Sequence, residues 1–167
     1  MTEQATARLA IPLIAAGQAG KELTHNEALA LLDMLVQPAV EAVGVDTPPA
    51  HPQPGQCWIL GSGPTGPWAG HAGALAGWTI DGWRFVVPGE GFVLWCKSSA
   101  KPVAYRNGLW QEGDVVAGRI VVGGQQVVGA RTGAIADPAG GGVIDDKART
   151  AIAAILGALR QHGLITA

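Results

Sequence analysis

Residues 78–87 read WTIDGWRFVV. Asp81-Gly82 is among the strongest short hairpin signals, because glycine enters the positive-φ backbone that a tight reversal between two strands demands. Trp83 to Val87, which follow, are aromatic and β-branched and suit a pleated, half-buried surface. A second reversal of this kind is Arg106-Asn107-Gly108-Leu109, entered from Val103 to Tyr105. Each hairpin carries a tryptophan just past its turn, Trp83 and Trp110, a faint internal echo. Outward from these two turns lie further strand-like runs: Cys57-Trp58-Ile59-Leu60, Phe92 to Cys96, Val115-Val116 and Ile120 to Val122. Gly123-Gly124 can turn the last of these into Gln125 to Val128. The pattern predicts a compact antiparallel β-domain over residues 55–130.

Upstream, Asp46 to Gly55 (DTPPAHPQPG) is a proline-rich, semi-rigid connector. Before it, Thr24-His25-Asn26-Glu27 forms a capping box, in which the Thr hydroxyl and the Glu carboxylate satisfy each other's free backbone N–H groups. Leu29, Leu32, Leu35 and Val36, with Ala28 and Leu31, make the apolar side of the helix expected next, ending near Pro38. Residues 12–23 are read as extended or loop, and residues 1–11 as an arm with little internal reason to fold. Downstream, Arg131 to Gly142 is a glycine-rich linker. It leads to the tail, Val143 to Ile165. There Asp145 or Asp146 can cap a helix, and Gly163 after Arg160 and His162 can stop it. Ala148, Ile152, Ile155 and Leu159 recur at heptad spacing, with Leu156 widening the ridge and Gly157 allowing close helix approach. A helix of four or five turns is too short to be firm alone in water, so it must pack on its own domain or on copies of itself. Isoleucine at both seam positions favours three or more strands. The expected class is α+β: an N-terminal arm and helix over 1–47, the β-domain over 55–130, and a linker with a C-terminal oligomerising helix over 131–167.

Of the 167 residues 48% are hydrophobic, enough for a core, but only 14% are charged, against ~25% in ordinary soluble domains. Glycine, at 25 residues, is roughly twice its usual ~7%. So few charges cannot solvate a large surface, and we expect other subunits to cover much of it. Eleven basic and thirteen acidic groups give a net charge of −2 with no basic stripe, which argues against a nucleic-acid partner. No run reaches the ~18 apolar residues of a membrane span. The apolar run LAIPLIAAGQA is short, is interrupted by Pro12 and follows Glu3, so it is not expected to act as a secretory signal. Two cysteines, Cys57 and Cys96, are too few to build the fold, although the sequence leaves a bond between them open.

Chemical motifs are weak. Gly61-Ser62-Gly63-Pro64-Thr65-Gly66 matches G-x-G-x-x-G, but Pro67-Trp68-Ala69-Gly70 follows instead of a helix, so it is read as a surface turn. His25, His51, His71 and His162, with the cysteines, lack zinc-ligand spacing. Ser62 lacks a nucleophile-elbow context, and Cys96 lies on an apolar run (FVLWC) where a thiol is inert packing. Glu90, Glu112 and Asp114 lie near turns, and only a close pair in a cleft would suit glycoside hydrolysis. No catalytic, cofactor-binding or metal-binding residues are assigned. Tryptophan supplies six of nine aromatics. Trp58, Trp83 and Trp95, on strands, are expected in the core. Trp68 and Trp78, beside glycine-rich loops, are expected in core or interface and are the candidates for stacking on a glycan.

Two stretches resemble a known family. Pro12-Leu13-Ile14-Ala15-Ala16-Gly17-Gln18-Ala19, then Lys21 and Thr24-His25-Asn26-Glu27-Ala28-Leu29, are similar to the signature of a domain of unknown function found in prophages and gene transfer agents. The middle also resembles it: Pro54-Gly55 before a strand, Gly66-Pro67-Trp68-Ala69-Gly70-His71, Trp78, Gly82-Trp83 and a turn of the form Pro88-x-x-Gly91. The tail from Ile135 is similar to C-terminal segments of phage-type fibre and spike proteins. The resemblance implies a virion structural protein, a tail fibre or head spike that contacts capsule polysaccharide, and it implies no catalytic residues. Gly20 stands where such proteins usually carry Gln or a similar side chain, and the chain is short for a fibre, which fits a base or adaptor better. The expectation is therefore a non-enzymatic homo-oligomer, trimer before pentamer, gathered through Ile152, Ile155, Leu156 and Leu159. Its partners would be other capsid, spike or fibre proteins and cell-surface polysaccharide, without nucleic acid or membrane insertion. It would be made in the bacterial cytoplasm and then carried on the particle surface. A carbohydrate-binding module is the alternative, and a small polysaccharide hydrolase a third reading.

Overall fold

The computed structural model describes residues 5–14 and 21–166, with only the backbone of Lys21 and Glu22. Residues 1–4 of the expected arm and Ala15 to Gly20 of the expected loop and family signature lie outside the described residues. The chain forms two compact units, Met1–Asp114 and Val115–Ala167. Both helices and the sheets are present, and the class is α+β.

In the first unit, helix α1 (Lys21–Leu35) precedes strands β1 (Ala39–Val40), β2 (Cys57–Ile59), β3 (Leu75–Thr79), β4 (Gly82–Val86), β5 (Val93–Cys96), β6 (Lys101–Arg106) and β7 (Leu109–Glu112). They make two sheets, β2-β3-β4 and β1-β5-β6-β7. Pairing is antiparallel except between β1 and β5, which run parallel. Both predicted hairpins form, by different turns. Asn107 and Gly108 both have positive φ (53° and 76°), as a two-residue type I′ turn requires. At β3–β4 the reversal is carried by Ile80-Asp81, with Gly82 opening β4 at φ 107°.

Residues 38–45 belong to both sheets. Pro38, Val40 and Glu41 accept from the backbone of Trp95, Lys97 and Ser98 on the β5 side. Glu41 N donates to Cys57 O, Ala42 O accepts from Ile59 N, and Val45 bridges Leu60 in parallel on the β2 side. The alternation of β2 then sends its residues to opposite faces. Cys57 and Ile59 join a core with Met34, Val40, Leu75, Leu94, Cys96 and Val103. Trp58, with Leu60, Trp68 and Ala76, makes a second core, against which Trp78, Trp83 and Phe85 pack. Full burial of a side chain such as Ile59 contributes about 1.5–3 kcal/mol.

The structure differs from the sequence expectations at several points. Helix α1 begins at Lys21, so Thr24 to Glu27 lie inside it and do not cap it. The described part of the arm is folded onto that helix. Buried Asp33, 5% exposed, accepts from Thr6 Oγ1 (2.8 Å), Arg8 N (2.9 Å) and Leu9 N (2.6 Å). Arg8 in turn donates to the carbonyls of Asp33, Met34 and Gln37, which caps the end of the helix where carbonyls lack partners. Asn26 holds Ile14 by both its N–H (2.9 Å) and its carbonyl (3.0 Å). Val115-Val116 is exposed coil, and Trp95 is 47% exposed because Leu94 and Cys96 take the inward positions of β5.

In the second unit, β8 (Ile120–Val122) and β9 (Gln125–Val128) pair as an antiparallel hairpin, and helix α2 runs from Asp146 to Gln161. Gly123 and Gly124, at φ 57° and 80°, make the turn. Asp145 caps α2 by accepting from Ala148 N (3.0 Å). Leu156 and Ile165 are its buried apolar side chains among the described residues. The units thus divide the chain differently from the expected segments 1–47, 55–130 and 131–167. Met34 of α1 shares the core of the strands, whereas the β8–β9 hairpin is exposed along its whole length.

Candidate functional site

Four tryptophans meet on the outer face of the β2-β3-β4 sheet. Trp83 lies 5.6 Å from Trp58, 5.0 Å from Trp68 and 5.0 Å from Trp78 by ring centroids, edge-on in each case. Edge-to-face contact sets the positive rim of one ring on the negative face of the next. Trp68 enters from a short 3-10 helix, Gly66–Trp68, where Pro67 favours the first turn. The loop that delivers it is organised by Asp46, whose carboxylate accepts from Gly63 N (3.0 Å) and whose carbonyl accepts from Thr65 N and Thr65 Oγ1. The G-x-G-x-x-G match is therefore a turn that places a core residue. Trp68 is 0% exposed, which corrects its assignment as a glycan contact: no ligand can reach its ring.

Trp78 differs. It is half-buried and lines a groove of about 960 Å³ between the arm, α1 and the β3–β4 hairpin. Leu13, Leu23, Met34 and Ile80 supply the apolar walls, and Asn26, Asp81 and the Glu27–Arg84 pair supply polar groups. Arg84 Nε meets Glu27 Oε1 at 2.6 Å, and that hydrogen bond holds the guanidinium above its ordinary range. Apolar walls with hydrogen-bonding groups between them suit a ligand with apolar and polar sides, while the ring of Trp78 packs on Trp83 across the sheet from the Glu27–Arg84 pair. Sequence reading missed Asp33 and Asn26, which line the groove and hold backbone of the arm beside it, and Arg8, which caps α1. The available signal was a carboxylate set among Leu31, Leu32, Met34 and Leu35 on an amphipathic helix.

Both cysteines are free and buried in the same core. Burial pushes the Cys57 thiol up to about 11. At Cys96 burial also raises the thiol, but hydrogen bonds from Ser98 and Ser99 outweigh it and leave the group below its ordinary value. Among the described residues no three of His, Cys, Asp and Glu are grouped to hold a metal ion. Glu90 accepts from Asn107 N (2.9 Å) and so braces a hairpin turn. Glu112 and Asp114 are exposed. No described helix is long and apolar enough to cross a membrane.

On α2, Ile152 and Ile155 are 43% and 60% exposed and Leu159 is half-buried. Leu156 is buried within the chain, which corrects its place in an intermolecular ridge: it anchors the helix instead. No curated protein matches this chain. The chain belongs to the family described as a protein of unknown function (DUF2793), whose model matches residues 25–111, from the second turn of α1 to the third residue of β7.

Proposed function

We propose that this chain is a non-enzymatic, homo-oligomeric structural component of a phage-like particle, a gene transfer agent or prophage. In this reading it is a base or adaptor of a head spike or tail fibre that helps attach the particle to cells. The observation that carries the reading is the pair Ile152 and Ile155, open to solvent on a terminal helix in a unit whose buried apolar side chains, among those described, are Leu156 and Ile165. The low charge of the chain and the resemblance of its N-terminal signature to proteins of such particles support it. The copies close into a ring, a trimer in preference to a pentamer. The double substitution Ile152→Asp with Ile155→Asp should give monomers by light scattering, and an unchanged mass would remove the ridge from the argument.

The half-buried ring of Trp78 favours a second reading, a carbohydrate-binding module for cell-surface polysaccharide. An aromatic face left partly open can pack on the C–H surface of a sugar ring. A capsule-derived glycan array should then show binding that Trp78→Ala abolishes while the fold persists, and a silent array would count against it.

A further inference from the structure

We infer that residues 115–167 have no folded state as a single copy: α2 and the β8–β9 hairpin gain their core only from the same elements of other copies. Assembly and folding of this unit are then one step. This rests on the homo-oligomeric reading proposed above and adds to it a second contact surface, the hairpin, and a coupling between that surface and the helix.

A two-stranded hairpin and an isolated helix of this length are each marginal in water, and each is held in proteins by packing of an apolar face. Here that packing is confined to Leu156 and Ile165 among the described residues. Ile120, Val122 and Val127 of the hairpin are 49%, 62% and 58% exposed, and Ile144, Ile152 and Ile155 around α2 are open as well. Beyond the burial of Leu156 and Ile165, what ties the unit together is polar. Thr132 pairs with Ile165 in a single parallel bridge, and Thr132 N and O bond Leu164 O and Thr166 N. Arg160 reaches Asp137 (3.1 Å) and Ile135 O (2.6 Å). Exposed hydrogen bonds and ion pairs of this kind contribute little against water and cannot order so long a stretch alone.

Two observations select a second copy as the cover. Exposed apolar side chains stand on both elements, Ile120, Val122 and Val127 on the hairpin and Ile152 and Ile155 on α2, as an interface of roughly 800 Å² per partner would use. The two runs that carry these side chains are also free of ionisable groups: 120–128 reads IVVGGQQVV and 151–159 reads AIAAILGAL. Identical chains can face each other there without like-charge repulsion, and nothing in either run selects a partner of opposite charge.

The experiment follows the full chain by hydrogen exchange and by mass, from concentrated to dilute solution. In the oligomer, amides of β8, β9 and α2 should be protected. On dilution to monomer their exchange should quicken at least 100-fold, while β2 and β3 stay protected. Val122→Lys with Val127→Lys should give monomers at high concentration and remove protection from α2, which carries neither substitution. A monomer by mass that keeps α2 protected would overturn the inference and leave the oligomer reading standing. So would a hairpin variant that keeps both its mass and its α2 protection. A chain that stays monomeric at every concentration would overturn both.

Discussion

The two units use similar apolar side chains to opposite ends. In Met1–Asp114, isoleucine, leucine and tryptophan on strands face inward on both sides of the β2-β3-β4 sheet, and Ile59, Leu75 and Trp68 are almost wholly withdrawn from water. In Val115–Ala167, isoleucine and valine on a helix and a hairpin stand in solvent. The difference is one of closure. The first unit has enough layers to cover its own faces, whereas one helix and one two-stranded hairpin leave a face of each uncovered. The first unit covers its own apolar faces, and the second leaves apolar faces in water.

The sharpest way to break the contrast is to make the same truncation in both units. Ile59→Ala should cost about 2–5 kcal/mol in urea unfolding, because it opens a cavity in a packed core. Ile155→Ala should change the urea unfolding of the first unit by less than about 0.5 kcal/mol, since it lies outside that core, while weakening assembly. Equal costs would mean that the units are not distinct in this sense.

Alkaline pH gives the next effect. Burial lifts Cys57 from an ordinary 9.0 to about 11. Below pH 9 the thiol is protonated in the folded and the unfolded chain alike, and its contribution to stability is complete. Between pH 9 and 11 the unfolded chain releases this proton and the folded chain keeps it, so stability falls as pH rises, by about 2–3 kcal/mol in all. Titration of unfolding free energy over this range should show the fall, and Cys57→Ala should flatten it. An equal slope in both proteins would place the thiol in contact with water.

Two glycines give the smallest effects, opposite in sign. A side chain at Gly77 would meet Met34 Cε at 2.6 Å and Sδ at 2.7 Å, so Gly77→Ala should cost about 1–3 kcal/mol, part of it recovered when Met34 is shortened. At Gly157, within α2, an added Cβ meets nothing within 4 Å. Gly157→Ala should therefore raise helix stability by about 0.5–1 kcal/mol. If assembly weakens instead, copies approach each other at that glycine.

Local features of this fold were legible in the sequence. Asp81-Gly82 and Asn107-Gly108 mark hairpins because a tight turn depends on its own two or three residues. The helices were legible from their apolar spacing, but the start of α1 was not, since a capping box inside a longer helix reads like one at its end. Strand β1 escaped because its two residues are held by a parallel partner far along the chain. Trp95 was misread because FVLWC is apolar throughout and gives no parity, so only pairing decides which residues face inward. Trp68 was read as core or interface and also kept as a glycan candidate; the loop bends on Asp46 and drives the ring into the core, which leaves only the first of these. The groove was illegible for a related reason. Its wall depends on Asp33 and Asn26 holding backbone of the arm, and such bonds leave no period in the sequence.

Residues 38–45 act as the ruler of the first unit. One half of that run is registered to β5 and the other to β2, so its length fixes the offset between the sheets. A single inserted residue would turn every side chain beyond it to the wrong side and leave one sheet misaligned with the other. Length changes that a surface bend absorbs would here be lethal to the body of the protein, and this makes the run a poor place for a tag and a good one for a deliberate fault.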